Sequence, residues 1–280
     1  MARSARERFT EFAAREDVDI PLAEAALVIA QERYPDLDIE GWLGRLDTMA
    51  EAFRRRLRPD IPYREAVPLL NRYLFDELGF SGNTGDYYDP RNSYLNDVLD
   101  RRLGIPITLA IVYMEIGRRA GLRLEGVAFP GHFLLKCIVR DGTLVLDPYH
   151  RGNSLTIEDL RGRLALMNGG KAPPAAVMPV LLAAAGNREI LVRVLRNLKA
   201  IHLEREQFGD ALAAADRIVA LAPEASVEIR DRGLIYQALE CFRPAAADFE
   251  RYLTLEPEAA DVAEIRARIV DAHRAAARLN

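Results

Sequence analysis

The chain has 280 residues, of which half are apolar and 29% charged, and a formal net charge of −4. This length and balance suit one large domain or two smaller ones with a sizeable core. The slightly acidic charge excludes a generally basic surface, so neither nucleic acid nor an anionic membrane is expected as the main partner.

The opening residues MARSARERFTEF are charged and lack the apolar stretch of a signal peptide. The longest apolar run, Ala175 to Gly186, is too short to cross a bilayer and is interrupted by Pro179. A cytoplasmic location is the expectation. Up to about residue 80 the chain reads as helices. Leu22, Ala26, Leu27, Ile29 and Ala30 fall at helical spacing, as do Trp42, Leu43, Leu46 and Met49, with Asp36 and Asp38 as candidate caps of the second set. A third run, Tyr63 to Leu78, is closed by Gly79. Two basic clusters, Arg54 to Arg58 and Arg118, Arg119 and Arg123, read as solvated helix faces.

Residues 80–94, FSGNTGDYYDPRNSY, break the periodicity. A long polar loop with aromatic side chains is either a binding element or a loop whose Asn and Asp side chains bond its own backbone. As a binding element it offers Tyr87, Tyr88, Arg91 and Asn92, with Asn96 and the helix start at Pro106 just beyond as further binding candidates. Pro106 then suits the first turn of a helix, and ITLAIVYMEIGRRAG, apolar on most sides, reads as a buried central helix ending at Gly121. Strand signals follow: LEGVAF, then HFLLKCIV and TLVLD on either side of Arg140-Asp141-Gly142. A helix feeding an antiparallel hairpin points to an α+β domain. Cys137 lies in the first of these hairpin strands as a small core residue, and Cys241 is too distant in sequence to make a disulfide framework or metal set with it.

After a helix over 157–167, NGGKAPPAAVMP marks a connector. The organisation expected is a core over 1–170, a connector over 171–189 and helices over 190–280. The last region repeats: Leu221-Ala222-Pro223-Glu224 returns as Leu255-Glu256-Pro257-Glu258 at a spacing of 34, with Ala211 matched by Ala245 and Ile218 by Tyr252. Helix pairs of that period closed by proline resemble tetratricopeptide repeats. About two repeats and a terminal helix fit, few for independent stability, so further packing partners are expected. A repeat region of this kind binds a protein or peptide in its groove.

The order of a buried helix beginning near Pro106, then Phe129-Pro130-Gly131-His132, then Leu146-Asp147-Pro148 resembles the papain- and transglutaminase-like arrangement. There a cysteine at the helix start is activated by a histidine that a carboxylate orients. More closely, NRYLFDELGFSGN, DYYDPRNSYLNDVLDRRLGIPI, EGVAFPGHFLLK and LDPYHRG resemble the SirB branch of the transglutaminase-like superfamily, from about residue 20 to the end of the chain. The resemblance implies a transglutaminase-like core followed by tetratricopeptide-like repeats, and a bacterial protein of the cytosol with a regulatory role. It also implies contact between His132 and Asp147.

The sequence departs from the catalytic pattern at one place. Aligned on Ala110 and Gly121, the cysteine position falls at or near Pro106, and no cysteine precedes Cys137. A thiol acyl-enzyme is therefore not expected, and a non-catalytic binding or scaffold protein is. The alternative is a hydrolase or acyl transferase using Thr108 or Ser93 as a hydroxyl nucleophile with His132 and Asp147; the competing reading of both hydroxyls is as local cap or turn residues. If Asp141-Gly142 forms the hairpin turn, Asp147 opposes Lys136 and lies about 13 Å along the strands from His132. The plain hairpin and the resemblance thus disagree about that pair. The histidines His132, His150, His202 and His273 show no ligand spacing with a cysteine or carboxylate, and no glycine-rich phosphate loop occurs, so neither metal nor cofactor is expected.

Overall fold

A computed structural model describes residues 4–278 and divides into two compact units. The first runs from Glu16 to Ile190. It begins with helices α2 (Leu22–Gln31) and α3 (Ile39–Arg54), the latter capped by Asp38, whose carboxylate accepts from the Gly41 N–H at 3.0 Å. Helix α4 (Tyr63–Asn71) widens into a π-helical turn over Arg72–Glu77, and the chain leaves it at Gly79, where φ of +76° favours a residue without Cβ. Helix α5 (Leu95–Arg101) precedes α6 (Pro106–Arg119). Every residue of α6 from Pro106 to Gly117 is buried, which matches its lack of a polar face.

Around α6 lie two small sheets. β1 (Ser81–Gly82) pairs in parallel with β2 (Leu103–Gly104), tying the polar loop to the segment that enters α6. The second sheet is antiparallel, in the order β3 (Leu124–Val127), β4 (Leu134–Val139), β5 (Gly142–Asp147), β6 (Asn153–Leu155). One face of it packs Val127, Phe129, Leu134 and Val145 against Leu160 and Leu164 of α7 (Ile157–Met167) and Met178 of α8 (Met178–Leu181). The segment read as a connector is therefore integrated in this unit. Its Ala185 N–H also donates to the Gly126 carbonyl at 2.8 Å.

The hairpin register differs from the sequence expectation. Val139 pairs with Gly142 and Leu135 with Leu146, so the turn is Arg140-Asp141, one residue earlier than Asp141-Gly142. Extending the ladder sets Asp147 against Leu134 rather than Lys136. His132 is then only two residues, about 7 Å, along the same face, a gap that its side chain spans.

The second unit holds α9 (Asn187–Glu204) from Leu191 onward, α10 (Phe208–Leu221), α11 (Ser226–Ala238), α12 (Phe242–Leu255) and α13 (Val262–Arg278). The 34-residue period appears as the matched helices α10 and α12. Buried Ala211 and Ala245 occupy equivalent positions, and Gly233 of α11 leaves room for the Phe249 ring, which a Cβ there would meet at 2.7 Å. This unit also includes the N-terminal helix α1 (Ala5–Ala13), which sequence order had placed with the core. Its Phe9 and Phe12 are buried, and Arg217 of α10 lies 5.5 Å from the Phe9 ring centroid. An extra apolar face answers the shortage of core that two repeats alone would have.

The first basic cluster is paired with acids, and in the second Arg119 is, while Arg118 donates to the Leu124 carbonyl at 3.0 Å. Arg54 and Arg55 bind Glu51, Arg56 binds Glu77, Arg58 binds Glu65, and Arg119 binds both Glu115 and Asp47.

Candidate functional site

The site is built on the end of β5. Asp147 closes the strand with its side chain fully buried, and its backbone leads into a tight turn over Pro148–His150. Arg151 (φ +60°) and Gly152 (φ +71°) reverse the chain into β6. The turn is held from below: the buried Tyr113 hydroxyl of α6 donates to Asn71 Oδ1 at 2.9 Å, and Asn71 Nδ2 donates to the Gly152 carbonyl at 2.9 Å. From the other side, β1 contributes Gly82, where a Cβ would lie 2.5 Å from the Tyr149 ring.

Three side chains converge on the Asp147 carboxylate. His132 Nε2 is 2.8 Å from Oδ1, while His150 Nδ1 and Arg163 Nη1 of α7 are each 2.8 Å from Oδ2. Burial alone would raise this carboxyl, but the hydrogen bond and charge of His132, with Arg163 and His150, hold it well below the usual carboxylate range. An ionised carboxylate only accepts, so both facing ring nitrogens carry their hydrogens. In the neutral rings this leaves a lone pair on His132 Nδ1 and on His150 Nε2, and neither atom has a hydrogen-bond partner among the described residues. The His132–Asp147 contact thus exists and leaves one imidazole nitrogen available as acceptor or base.

Aromatic rings form a wall beside it. Tyr149 lies 6.1 Å from His132 and 5.3 Å from His150 between ring centroids, Tyr87 lies 6.3 Å from Tyr149, and Tyr88 lies 5.3 Å from Tyr87. Tyr87 and Tyr88 are 42% and 63% exposed, so this wall faces solvent. Met167 of α7 reaches the turn just before His132, its Cε 2.9 Å from where a Cβ on Gly131 would stand.

The remaining expected contacts are placed otherwise. Asn92 is buried, donates to the carbonyls of Asp86 and Tyr87, and accepts from Asn83 Nδ2. It folds the loop instead of facing outward. Asn96 and Pro106 are buried, and Arg91 turns back onto Asp89. Buried Asp89 draws both Arg91 and Arg101, which hold its carboxyl low against the effect of burial. The loop's amides and carboxylates therefore satisfy its own backbone and cations, while its two tyrosines reach the site.

Among the described residues no hydroxyl or thiol hydrogen-bonds to the His132 ring. Pro106 occupies the first position of α6 and Thr108 is buried. The Thr108 hydroxyl donates to the Asn92 carbonyl at 2.7 Å and accepts from the Ile105 N–H at 3.1 Å, the cap role. Ser93 Oγ is buried without a hydrogen-bond partner. Among the described residues neither hydroxyl bonds to His132. Cys137 is buried in β4, where burial pushes its thiol up to about 11. Sequence reasoning missed His150, Tyr149 and Arg163. The first two stand in the LDPYHRG segment, but only the turn brings them back onto Asp147. A separate cleft of about 590 Å³, lined by Tyr63, Arg64, Arg123, Ile138 and Arg140 among others, contains none of the expected site residues.

Comparison with known proteins agrees with this architecture. Residues 40–196 match the model of the transglutaminase-like superfamily, and residues 198–270 match that of the tetratricopeptide repeat. A UPF0162 protein of Xylella fastidiosa (strain Temecula1) is 44% identical over 260 residues, 91% of each chain. The UPF0162 protein YchA of Escherichia coli K12 is 29% identical over 89% of this chain and 91% of its own. Protein SirB1 of Salmonella typhimurium is 26% identical over the same shares.

Proposed function

The chain belongs to the transglutaminase-like superfamily, and we propose that it is a non-catalytic member: a binding and scaffold protein with two recognition surfaces. The observation that carries the reading is the oriented His132–Asp147 pair, to which no nucleophile among the described residues is bonded. Catalysis by this constellation needs a thiol or hydroxyl within hydrogen-bond reach of the imidazole. At the helix start, Pro106 has no nucleophilic atom and the Thr108 proton is held by a carbonyl.

What remains is a recognition surface. Partly exposed Tyr87 and Tyr88 flank two imidazoles with acceptor nitrogens, so the surface takes a hydrogen-bond donor beside an apolar group, as in a peptide side chain. The tetratricopeptide unit supplies a second peptide- or protein-binding surface of the kind such repeats provide. No helix among the described residues is long and apolar enough to cross a membrane. A regulatory role in the bacterial cytosol is the setting this reading implies.

The test pairs chemistry with capture. A fluorophosphonate probe and iodoacetamide are applied to the folded protein, with no labelling at Thr108 or Ser93 expected. Labelling of either hydroxyl that disappears in His132→Ala would establish the hydrolase or acyl-transferase alternative. Capture from bacterial lysate by the full chain is then compared with Tyr87→Ala/Tyr88→Ala and with residues 16–190, the boundaries of the first unit. Equal recovery by all three would remove both recognition surfaces from the account.

A further inference from the structure

We propose that His132, Asp147 and His150 form a binding site for one divalent transition-metal ion of the zinc class. The site shares its two imidazoles with the recognition surface proposed above but does not use the tyrosine wall, and Zn²⁺ binding measured directly succeeds or fails separately from peptide capture. Three observations carry it. The ligand atoms of the three residues all lie within 4.8 Å of one another. Asp147 and His150 belong to a strand end and a tight turn held by the Tyr113–Asn71–Gly152 chain of hydrogen bonds, and His132 stands in the bend just before β4. Finally, the cluster is graded in exposure, with Asp147 at 0%, His132 at 16% and His150 at 56%, which gives an anionic floor and one open side for entry.

The chemistry of the donors selects the ion. Two imidazoles and a carboxylate suit zinc and its neighbours; magnesium and calcium demand more oxygen ligands. Zinc–nitrogen bonds are about 2.0–2.1 Å, so two nitrogens sharing one zinc stand at most about 4.2 Å apart. At the tetrahedral angle that separation is about 3.4 Å, so a pair at the 4.8 Å limit closes by about 1.4 Å, a movement asked of the half-exposed His150 side chain on its turn. The proton balance closes without outside reagents. The metal replaces the hydrogens on His132 Nε2 and His150 Nδ1, and these move to His132 Nδ1 and His150 Nε2, the ring nitrogens without hydrogen-bond partners among the described residues. With three protein ligands the ion keeps at least one position for water or a partner's side chain.

One group opposes the ion. Arg163 Nη1 holds Asp147 Oδ2 at 2.8 Å, and it is one-third exposed. A cation bound to the carboxylate meets its charge and must displace it from that oxygen. This makes Arg163 a lever that a ligand held only by the histidines would not feel.

The experiment uses the full-length chain without an affinity tag, stripped with chelator, titrated with Zn²⁺ alone by calorimetry and with Co²⁺ by visible absorption. The wild type is expected to bind one ion per chain. His150→Gln, at a half-exposed position and with its fold checked by circular dichroism, weakens binding at least about tenfold, as does His132→Gln. Arg163→Gln tightens it, and Mg²⁺ does not compete. Absence of Zn²⁺ binding by the wild type would overturn the proposal, as would affinity unchanged in His150→Gln. Stoichiometric binding lost instead with Cys241→Ser or His273→Gln would place the ion elsewhere and overturn it equally. Equal or weaker binding in Arg163→Gln would remove Asp147 from the ligand set.

Discussion

Replacing Asp147 by asparagine removes one negative charge from a fully buried position and leaves the shape nearly unchanged. The wild-type carboxylate accepts from His132, His150 and Arg163, each at 2.8 Å. In the variant, the amide group presents a donor to three donors, so at most one of its two ends still pairs well. Breaking a buried ion pair by removing one partner costs about 3–5 kcal/mol. Arg163 and His150 are 33% and 56% exposed and recover some hydration in the variant, which places the expected loss near the lower end, about 3 kcal/mol. The assay is urea unfolding at pH 8 followed by the fluorescence of Trp42, the single tryptophan, which lies in the unit that contains the site. The same substitution in an Arg163→Gln background should cost about 1 kcal/mol or more less, since the two residues interact directly. A loss below about 1 kcal/mol in the single variant, or full additivity in the double variant, would refute the view that this carboxylate organises the site.

The pH dependence of that pair has a definite sign. The folded Asp147 carboxyl lies below its ordinary value, so its stabilisation is complete above about pH 5 and is lost as pH falls toward the folded value. Between pH 4 and pH 2 the stability gap between wild type and Asp147→Asn should narrow by about 1.4 kcal/mol per pH unit; a constant gap in Trp42-detected unfolding would contradict the assignment. Thiol titration of the native protein at pH 7.5 should report one reactive cysteine, Cys241, with Cys137 appearing only on unfolding, because Cys137 is buried and its thiol is raised to about 11. Two fast-reacting thiols would show β4 to be open. Gly82→Ala forces the Tyr149 ring away from β1, and should reduce lysate capture while costing about 1–3 kcal/mol of stability; unchanged capture and stability would show that the ring has room to move. Gly152→Ala combines a positive φ with an overlap against Asn71 and should destabilise by at least about 1 kcal/mol, measured by the same unfolding assay.

Much of this protein was determined locally, where its sequence could be read. The buried α6 follows from an apolar run with no polar face, and its start from Pro106. The paired strands follow from alternation and a polar turn, and the repeats from a 34-residue period with prolines closing helices. The missing cysteine is a statement of composition and needed no coordinates. Other features depended on long-range geometry. A one-residue change in turn position moved Asp147 two residues along its partner strand and made the His132 contact, because strand pairing converts a local choice into a displacement of whole side chains. The loop tyrosines could not be separated from the loop asparagines by residue type. Burial separated them: Asn92 went inward to satisfy backbone carbonyls, and Tyr87 stayed at the surface. Packing likewise recruited α1 to the repeats, since a helix with two buried phenylalanines goes where an apolar face lacks cover and not where chain order places it. His150 and Arg163 joined the site from a turn and from α7, segments that only the folded chain brings to one carboxylate.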